Sequence, residues 1–235
     1  MKQPTGIFYG IGVGSGDPEY LTLKAVRLIQ HADVVVYLKS ASGRSIARDI
    51  AAQWIKQQRQ IAIIMPYSTD RSAANHAYDK AEQQIANALQ HGLNIAFLCE
   101  GDPLFFGSYI YLHQRLSPHY PCQIVPGISS IHAATALAQL PLTQQSENLA
   151  IVTSRNSDQE ILQALAQYSS VIIMKAGVAR PRLLELIRQS KRLENTCYIQ
   201  RAGQQEEKVV YDMNQLTGKG DYFSLLIISP QREAD

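Results

Sequence analysis

Gly10, Gly12, Gly14 and Gly16 follow the apolar run Ile7-Phe8-Tyr9 and precede a helical pattern. Strand, glycine loop and helix is the order of a nucleotide site. A dinucleotide fingerprint needs G-x-G-x-x-G, with an acidic residue about 20 positions on for the ribose. Counted from Gly10 the third position is Ser15, from Gly12 it is Asp17 and from Gly14 it is Glu19, so no register fits. Tyr37 stands where the ribose acid belongs, and Asp33 precedes that strand. No Gly-Lys-Ser/Thr closes the loop, and residues 10–18 hold no lysine or arginine to meet phosphate. The loop suits close backbone approach to a ligand without polyphosphate chemistry. A tight turn with no ligand is the alternative.

Two further loops share this form. Residues 97–108, Phe-Leu-Cys-Glu-Gly-Asp-Pro-Leu-Phe-Phe-Gly-Ser, follow an apolar strand and are broken by Gly101, Pro103 and Gly107. Val125-Pro126-Gly127-Ile128-Ser129-Ser130 also follows a strand and opens a helix with hydroxyls. In an open parallel sheet the ligand crevice lies at the carboxyl ends of strands, so these loops are expected on one edge. Backbone groups, two hydroxyls and carboxylates suit an uncharged adenosine with an amino-acid tail better than a pyrophosphate. Taken singly, Glu100 and Asp102 also suit a solvated turn and a helix cap, and Ser129 and Ser130 suit N-capping.

The elements that must position these loops alternate. Strands are expected at residues 7–11, 34–37, 61–65, 94–99 and 123–125. Helices are expected over 21–31, with Asp17-Pro18 as cap and first turn, over 45–57, along the stripe Ala77, Ala81, Ile85 and Leu89, and over 130–140. Beyond them, strands at 149–153, 170–174, 197–200, 209–211 and 223–229 include a final pair separated only by turn signals, with helices over 158–168 and 180–190. The pattern predicts an α/β protein of two domains, a parallel-sheet N-terminal domain (1–118) and a mixed-sheet C-terminal domain (122–235).

Composition narrows the class. Hydrophobic residues make up 46% and charged residues 18% of 235, and the formal charge is +2. That is ordinary globular composition, with no global sign of nucleic-acid or membrane binding. Cys99, Cys122 and Cys197 form no CxxC and suit a reducing cytoplasm, and the six histidines show no metal spacing. No signal segment and no run of membrane-spanning length is read, so a cytoplasmic location is expected.

The three loops together carry a resemblance. G-x-G-x-G-D-P, then Leu21-Thr22-Leu23-Lys24-Ala25 and Ala32-Asp33-Val34-Val35, resembles the opening of the tetrapyrrole (corrin and porphyrin) methylases, with Ser15 where that family usually has proline. Gly101-Asp102-Pro103 with Phe106-Gly107, and Pro126-Gly127-Ile128-Ser129-Ser130, match the next two motifs in order. The segments Cys99-Glu100-Gly101-Asp102-Pro103-Leu104-Phe105-Phe106-Gly107-Ser108 and Tyr111-Leu112-His113 are similar to the precorrin-2 C(20)-methyltransferases, as are residues 37–48 and 65–71.

The resemblance implies a two-domain enzyme, with a cleft between its domains for S-adenosyl-L-methionine. It would methylate carbon 20 of precorrin-2 or cobalt-factor II in cobalamin biosynthesis, as a homodimer. Ser15, Glu100, Gly101, Asp102, Phe105, Ser129 and Ser130 fall at its cofactor positions, with Met174, Lys175, Ala176 and Ala202 near adenine. For the substrate's carboxylates, Lys39, Arg44, Ser45 and Arg71 are the candidates, each of which also suits an ordinary solvated surface. No base for removal of the carbon 20 proton is assigned. A nucleotide-dependent oxidoreductase and a non-catalytic binding module are the rival classes, and the failed fingerprint counts against the first.

Overall fold

A computed structural model describes residues 5–66 and 71–230, the side chain of Arg71 excepted. The chain divides into two units, Met1–Ser129 and Ser130–Asp235.

In the first unit β1 (Phe8–Gly12), β2 (Val34–Ser40), β3 (Arg59–Met65), β4 (Ile95–Cys99) and β5 (Cys122–Val125) form one parallel sheet in the order β3-β2-β4-β1-β5. Parallel neighbours need crossovers, which α1 (Leu23–His31), α2 (Ile46–Ile50), α3 (Arg71–Gln90) and α4 (Tyr109–Leu116) provide. Both sheet faces are therefore covered, which is why β4 is one unbroken apolar run, buried throughout. Phe8, Val34, Val36, Ile95 and Phe97 pack with Ile85, Leu89, Tyr109 and Leu112 of α3 and α4. On the other face Ile11, Val35, Ala96, Leu98 and Val125 pack with Ala25, Ile29, Ala47 and Ile50 of α1 and α2.

Several expectations need correction. Asp17 caps only a short 3-10 turn at Pro18–Tyr20, and Thr22 caps α1 by accepting the Ala25 N–H at 3.1 Å. Leu21 is buried between the two turns and stays extended. The helix expected over 45–57 stops at Ile50 and continues as a 3-10 turn, Ala52–Trp54. Strand β2 runs on to Ser40, so Lys39 and Ser40 belong to it, opposite Ile64 and Met65 of β3. The domain boundary expected at 118–122 moves to Ser129–Ser130, because Cys122–Val125 pairs with β1 and completes the first sheet.

The second unit begins with α5 (Ser130–Ala138) and contains β6 (Leu149–Thr153), α6 (Asp158–Gln167), β7 (Ser170–Met174), α7 (Arg180–Gln189), β8 (Thr196–Gln200), β9 (Lys208–Val210) and β10 (Ser224–Ile228). Its sheet has the order β6-β7-β10-β8-β9. Strands β6 and β7 are parallel, β10 is antiparallel to both β7 and β8, and β9 is antiparallel to β8, so the sheet is mixed as expected. Two buried arginines tie loops into this unit. Arg192 donates to the carbonyls of Leu165, Tyr168, Ser169 and Ser229. Arg180 donates to those of Thr217, Gly218 and Lys219 at 2.6–3.1 Å and lies over the Tyr198 ring at 5.1 Å. Buried guanidinium is tolerated because most of its N–H groups find carbonyls. No helix among the described residues is long and apolar enough to cross a membrane.

Candidate active site

Strands β1 and β4 are neighbours, yet the chain leaves β1 for α1 on one sheet face and β4 for α4 on the other. Such a switch opens a crevice at the carboxyl ends of the two strands. Strand β5 flanks β1, so the loops after β4, β1 and β5 stand side by side on one edge. The expectation from the three sequence loops is met within the first unit.

These loops hold one another. Gly14 and Gly101 form an antiparallel bridge, Gly101 N donating to Gly14 O at 2.8 Å, and Val13 N donates to Cys99 O at 3.0 Å. The Asp102 carboxylate accepts the Leu104 N–H at 2.9 Å and the Gly127 N–H at 3.1 Å, clamping the β4 loop to the β5 loop. Gly12 and Gly127 touch backbone to backbone: a Cβ on Gly127 would stand 2.1 Å from Gly101 O and 2.8 Å from Gly12 Cα. Gly10 lies under the Tyr109 ring, 2.5 Å from where its Cβ would be. Part of the glycine pattern therefore serves loop-on-loop and strand-on-helix packing rather than a ligand.

Ser15 and Ser129 are buried and Ser130 half-buried beside these turns, and Phe105 is half-buried with its ring 4.9 Å from that of Phe106. The Glu100 side chain remains open to solvent, while surrounding protein displaces enough bulk water to push its carboxyl pKa upward. Behind it, Cys99 is sealed in the core and its thiol is pushed up to about 11, chiefly by burial, which makes it inert. The loops thus present backbone groups, hydroxyls and an acceptor carboxylate, with no lysine or arginine among residues 100–108 or 126–130. That set fits a neutral or cationic ligand such as an amino-acid sulfonium nucleoside and does not fit a polyphosphate.

At the end of β2 a polar depression of about 490 Å³ is lined by Tyr37, Lys39, Arg44, Arg48, Asp49 and Gln60, with Ser45 at its wall. Ser40 rigidifies the turn beneath it: its hydroxyl bonds the Ser42 hydroxyl at 2.8 Å and the Arg44 carbonyl at 3.1 Å. Ser45 Oγ accepts the Arg48 N–H at 3.3 Å, so this buried hydroxyl caps α2 and positions Arg48. Asp49 lies 3.8 Å from Arg44 and 3.7 Å from Arg48. Lys39, Arg44 and Ser45 are brought together as expected, whereas the Arg71 side chain lies outside the described residues. Arg48 and Gln60 are additions that sequence spacing did not single out. Gln60 reaches the depression only through the β2–β3 register, which sets it opposite Val35.

In the second unit, Met174 ends β7 and Lys175 follows with a left-handed backbone, φ 57°. Burial and the Arg155 charge lower the Lys175 pKa. Ala202 is buried, and Ala176 has no exposed surface: it packs in the core, its N–H bonded to Ser224 O at 3.0 Å.

Relatives place this architecture. A precorrin-2 C(20)-methyltransferase of Sinorhizobium sp is 30% identical over 95% of both chains. A cobalt-precorrin-2 C(20)-methyltransferase of Salmonella typhimurium is 26% identical over 97% of this chain and 98% of its own. The cobalamin biosynthesis protein CobIJ of Mycobacterium tuberculosis is 34% identical over 95% of this chain, which spans only 46% of that relative. Among solved structures, uroporphyrin-III C-methyl transferase from Thermus thermophilus, complexed with S-adenosylhomocysteine, superposes with a TM-score of 0.69 at 20% identity, covering 95% of this chain and 97% of its own. The cobalt precorrin-4 methyltransferase CbiF gives 0.75 at 19% identity, covering 95% and 94%. The family model for tetrapyrrole (corrin/porphyrin) methylases matches residues 8–215, and with the fold and the loop motifs in agreement the chain belongs to that family.

Proposed function

We propose that this methylase transfers a methyl group from S-adenosyl-L-methionine to carbon 20 of precorrin-2 or its cobalt-containing counterpart, in cobalamin biosynthesis. The observation that carries this reading is the end-to-end likeness to the precorrin-2 C(20)-methyltransferase, with 95% of each chain covered.

The sulfonium supplies an already activated methyl, so the protein needs no nucleophile of its own. Its residues bind and orient. Glu100 provides an acceptor for the amino group of the methionine end, and Asp102 fixes the loop whose backbone meets it. Ser15, Gly101, Phe105, Ser129 and Ser130 complete the cofactor positions, and the candidates in the second unit are Met174, Lys175 and Ala202, since Ala176 is sealed in that unit's core. Orientation of this kind is worth roughly 7–11 kcal/mol of a barrier. Lys39 and Arg44 would take the peripheral carboxylates of the macrocycle, Ser45 acting through the turn. We place the enzyme in the cytoplasm as a homodimer, which light scattering checks: a mass of about 26 kDa at micromolar protein refutes the dimer.

Calorimetry with S-adenosylhomocysteine tests the cofactor, with an expected Kd near micromolar (about −8 kcal/mol) and no heat from NADPH. Incubation with labelled cofactor and either substrate form should add one methyl by mass. Binding of NADPH instead would move the protein to the oxidoreductase class, and cofactor binding without turnover on either substrate would refute the carbon 20 assignment.

A further inference from the structure

The depression at the end of β2 is lined by donors. Lys39, Arg44 and Arg48 stand against one carboxylate, Asp49, so its described lining carries a surplus of two positive charges. That carboxylate satisfies neither guanidinium. Asp49 lies 3.8 Å from Arg44 and 3.7 Å from Arg48, beyond the about 2.7–2.9 Å of a charge-assisted hydrogen bond. Among the described residues no acceptor takes a hydrogen bond from the side chain of Lys39, Arg44 or Arg48. Gln60 gives its oxygen to the Tyr37 hydroxyl at 3.4 Å, which leaves its amide N–H groups as further donors. The backbone, not a counter-charge, holds these groups in place. Ser40 N donates to Arg44 O and Gly43 N to Ser40 O, each at 2.9 Å, and Gly43 turns the chain with φ 94°. The Lys39 side chain lies along this turn: a Cβ on Gly43 would stand 3.5 Å from its Cε and 3.9 Å from its Nζ.

Unsatisfied donors and a surplus of two charges define what completes the site. A single carboxylate leaves half of the surplus unmet, whereas two neighbouring carboxylates match it. Asp49 sets the threshold, because it draws on both guanidiniums and a ligand must outbid it for them. We propose that the depression takes two adjacent carboxylates on one ring of the tetrapyrrole, that Arg48 binds them beside Lys39 and Arg44, and that Asp49 restrains the site by competing with the ligand; this rests on the substrate class proposed above.

The test uses the full chain with two porphyrins followed by fluorescence, and S-adenosylhomocysteine followed by calorimetry. Uroporphyrin III carries an acetate and a propionate on each ring, and coproporphyrin III keeps the propionates but has methyls for the acetates. Wild type is expected to prefer uroporphyrin by about two- to fivefold, the worth of one more exposed ion pair. Arg48→Gln should weaken uroporphyrin by about the same factor and narrow that preference, and Arg48→Lys should recover part of the loss. The Arg48 side chain is 42% exposed and its backbone N–H still reaches Ser45, so the variants keep the fold. Asp49→Asn, nearly the same shape, should tighten uroporphyrin about two- to fivefold. If Asp49 only braced the arginines, the same variant would weaken it. All these changes should shrink at about 0.5 M salt, and cofactor affinity should stay within about twofold of wild type. Unchanged uroporphyrin affinity in Arg48→Gln, weaker binding in Asp49→Asn, or equal wild-type affinity for the two porphyrins overturns the inference. Cofactor binding without either porphyrin also overturns it and leaves the methylase reading standing. A wild type that binds neither cofactor nor porphyrin overturns both.

Discussion

Asp102→Ala removes the clamp between the β4 and β5 loops. The wild-type carboxylate accepts two backbone N–H groups, Leu104 at 2.9 Å in an exposed setting and Gly127 at 3.1 Å in a partly buried one. Hydrogen bonds to a charged group contribute about 1.5–3 kcal/mol each, the exposed one toward or below the lower end, and water takes over part of what is lost. A net destabilisation of about 2 kcal/mol follows, or a melting shift of roughly 4–8 °C for a chain of this size. Asp102→Asn keeps one acceptor oxygen and should lose about half as much. Gly101 and Gly127 would no longer be held in register, so S-adenosylhomocysteine affinity should fall about tenfold, or about 1.4 kcal/mol. Thermal melting and calorimetry on wild type, Asn and Ala variants check both numbers. A melting point within about 1 °C of wild type, together with an unchanged dissociation constant, refutes the clamp.

Other substitutions read the same structure. Gly127→Ala drives a Cβ into the backbone of Gly101 and Gly12 and should cost more than about 3 kcal/mol, whereas Gly218→Ala, with φ 61° but open space around it, should cost only about 1; chemical denaturation separates them. Alanine at both Lys39 and Arg44 should raise the substrate KM about two- to fivefold per residue, and the wild type should lose more affinity with salt than the double variant; equal kinetics and equal salt dependence would make them plain surface charges. Cys99 and Cys197 have thiols raised from 9.0 to about 11, chiefly by burial. Below pH 9 both folded and unfolded chains carry neutral thiols, so this stability is fully present. Between pH 9 and 11 only the unfolded chain ionises, and stability should fall by about 2–3 kcal/mol per thiol. Denaturation midpoints at intermediate pH values follow that slope, and Cys197→Ala should flatten it.

Much of the architecture was legible in residue patterns. Buried parallel strands such as Ile95–Cys99 read as unbroken apolar runs because both sheet faces are covered, and the stripe of Ala81, Ile85 and Leu89 marks the buried face of α3. The three glycine-containing loops were visible because each follows such a run, and the absence of basic residues there already excluded polyphosphate. What the sequence could not decide depends on partners far along the chain. Cys122–Val125 looks like the start of the second half, yet its hydrogen bonds go to β1 and carry the boundary to Ser129. Gly12 and Gly127 read as room for a ligand, but their missing Cβ atoms let two loops touch across 115 residues of chain. Asp102 reads as a ligand contact, and the fold gives both its oxygens to backbone N–H groups. The left-handed backbone of Phe106 is invisible in its side-chain type; it belongs to a loop wound tightly enough that a Cβ on Gly107 would meet the Asp102 and Pro103 carbonyls. Local pattern determines which segments become strands and helices, since burial and periodicity are properties of the segment. Which loops meet, and which glycine or carboxylate is used up in holding them, is decided only when strand order brings distant segments to one edge of the sheet.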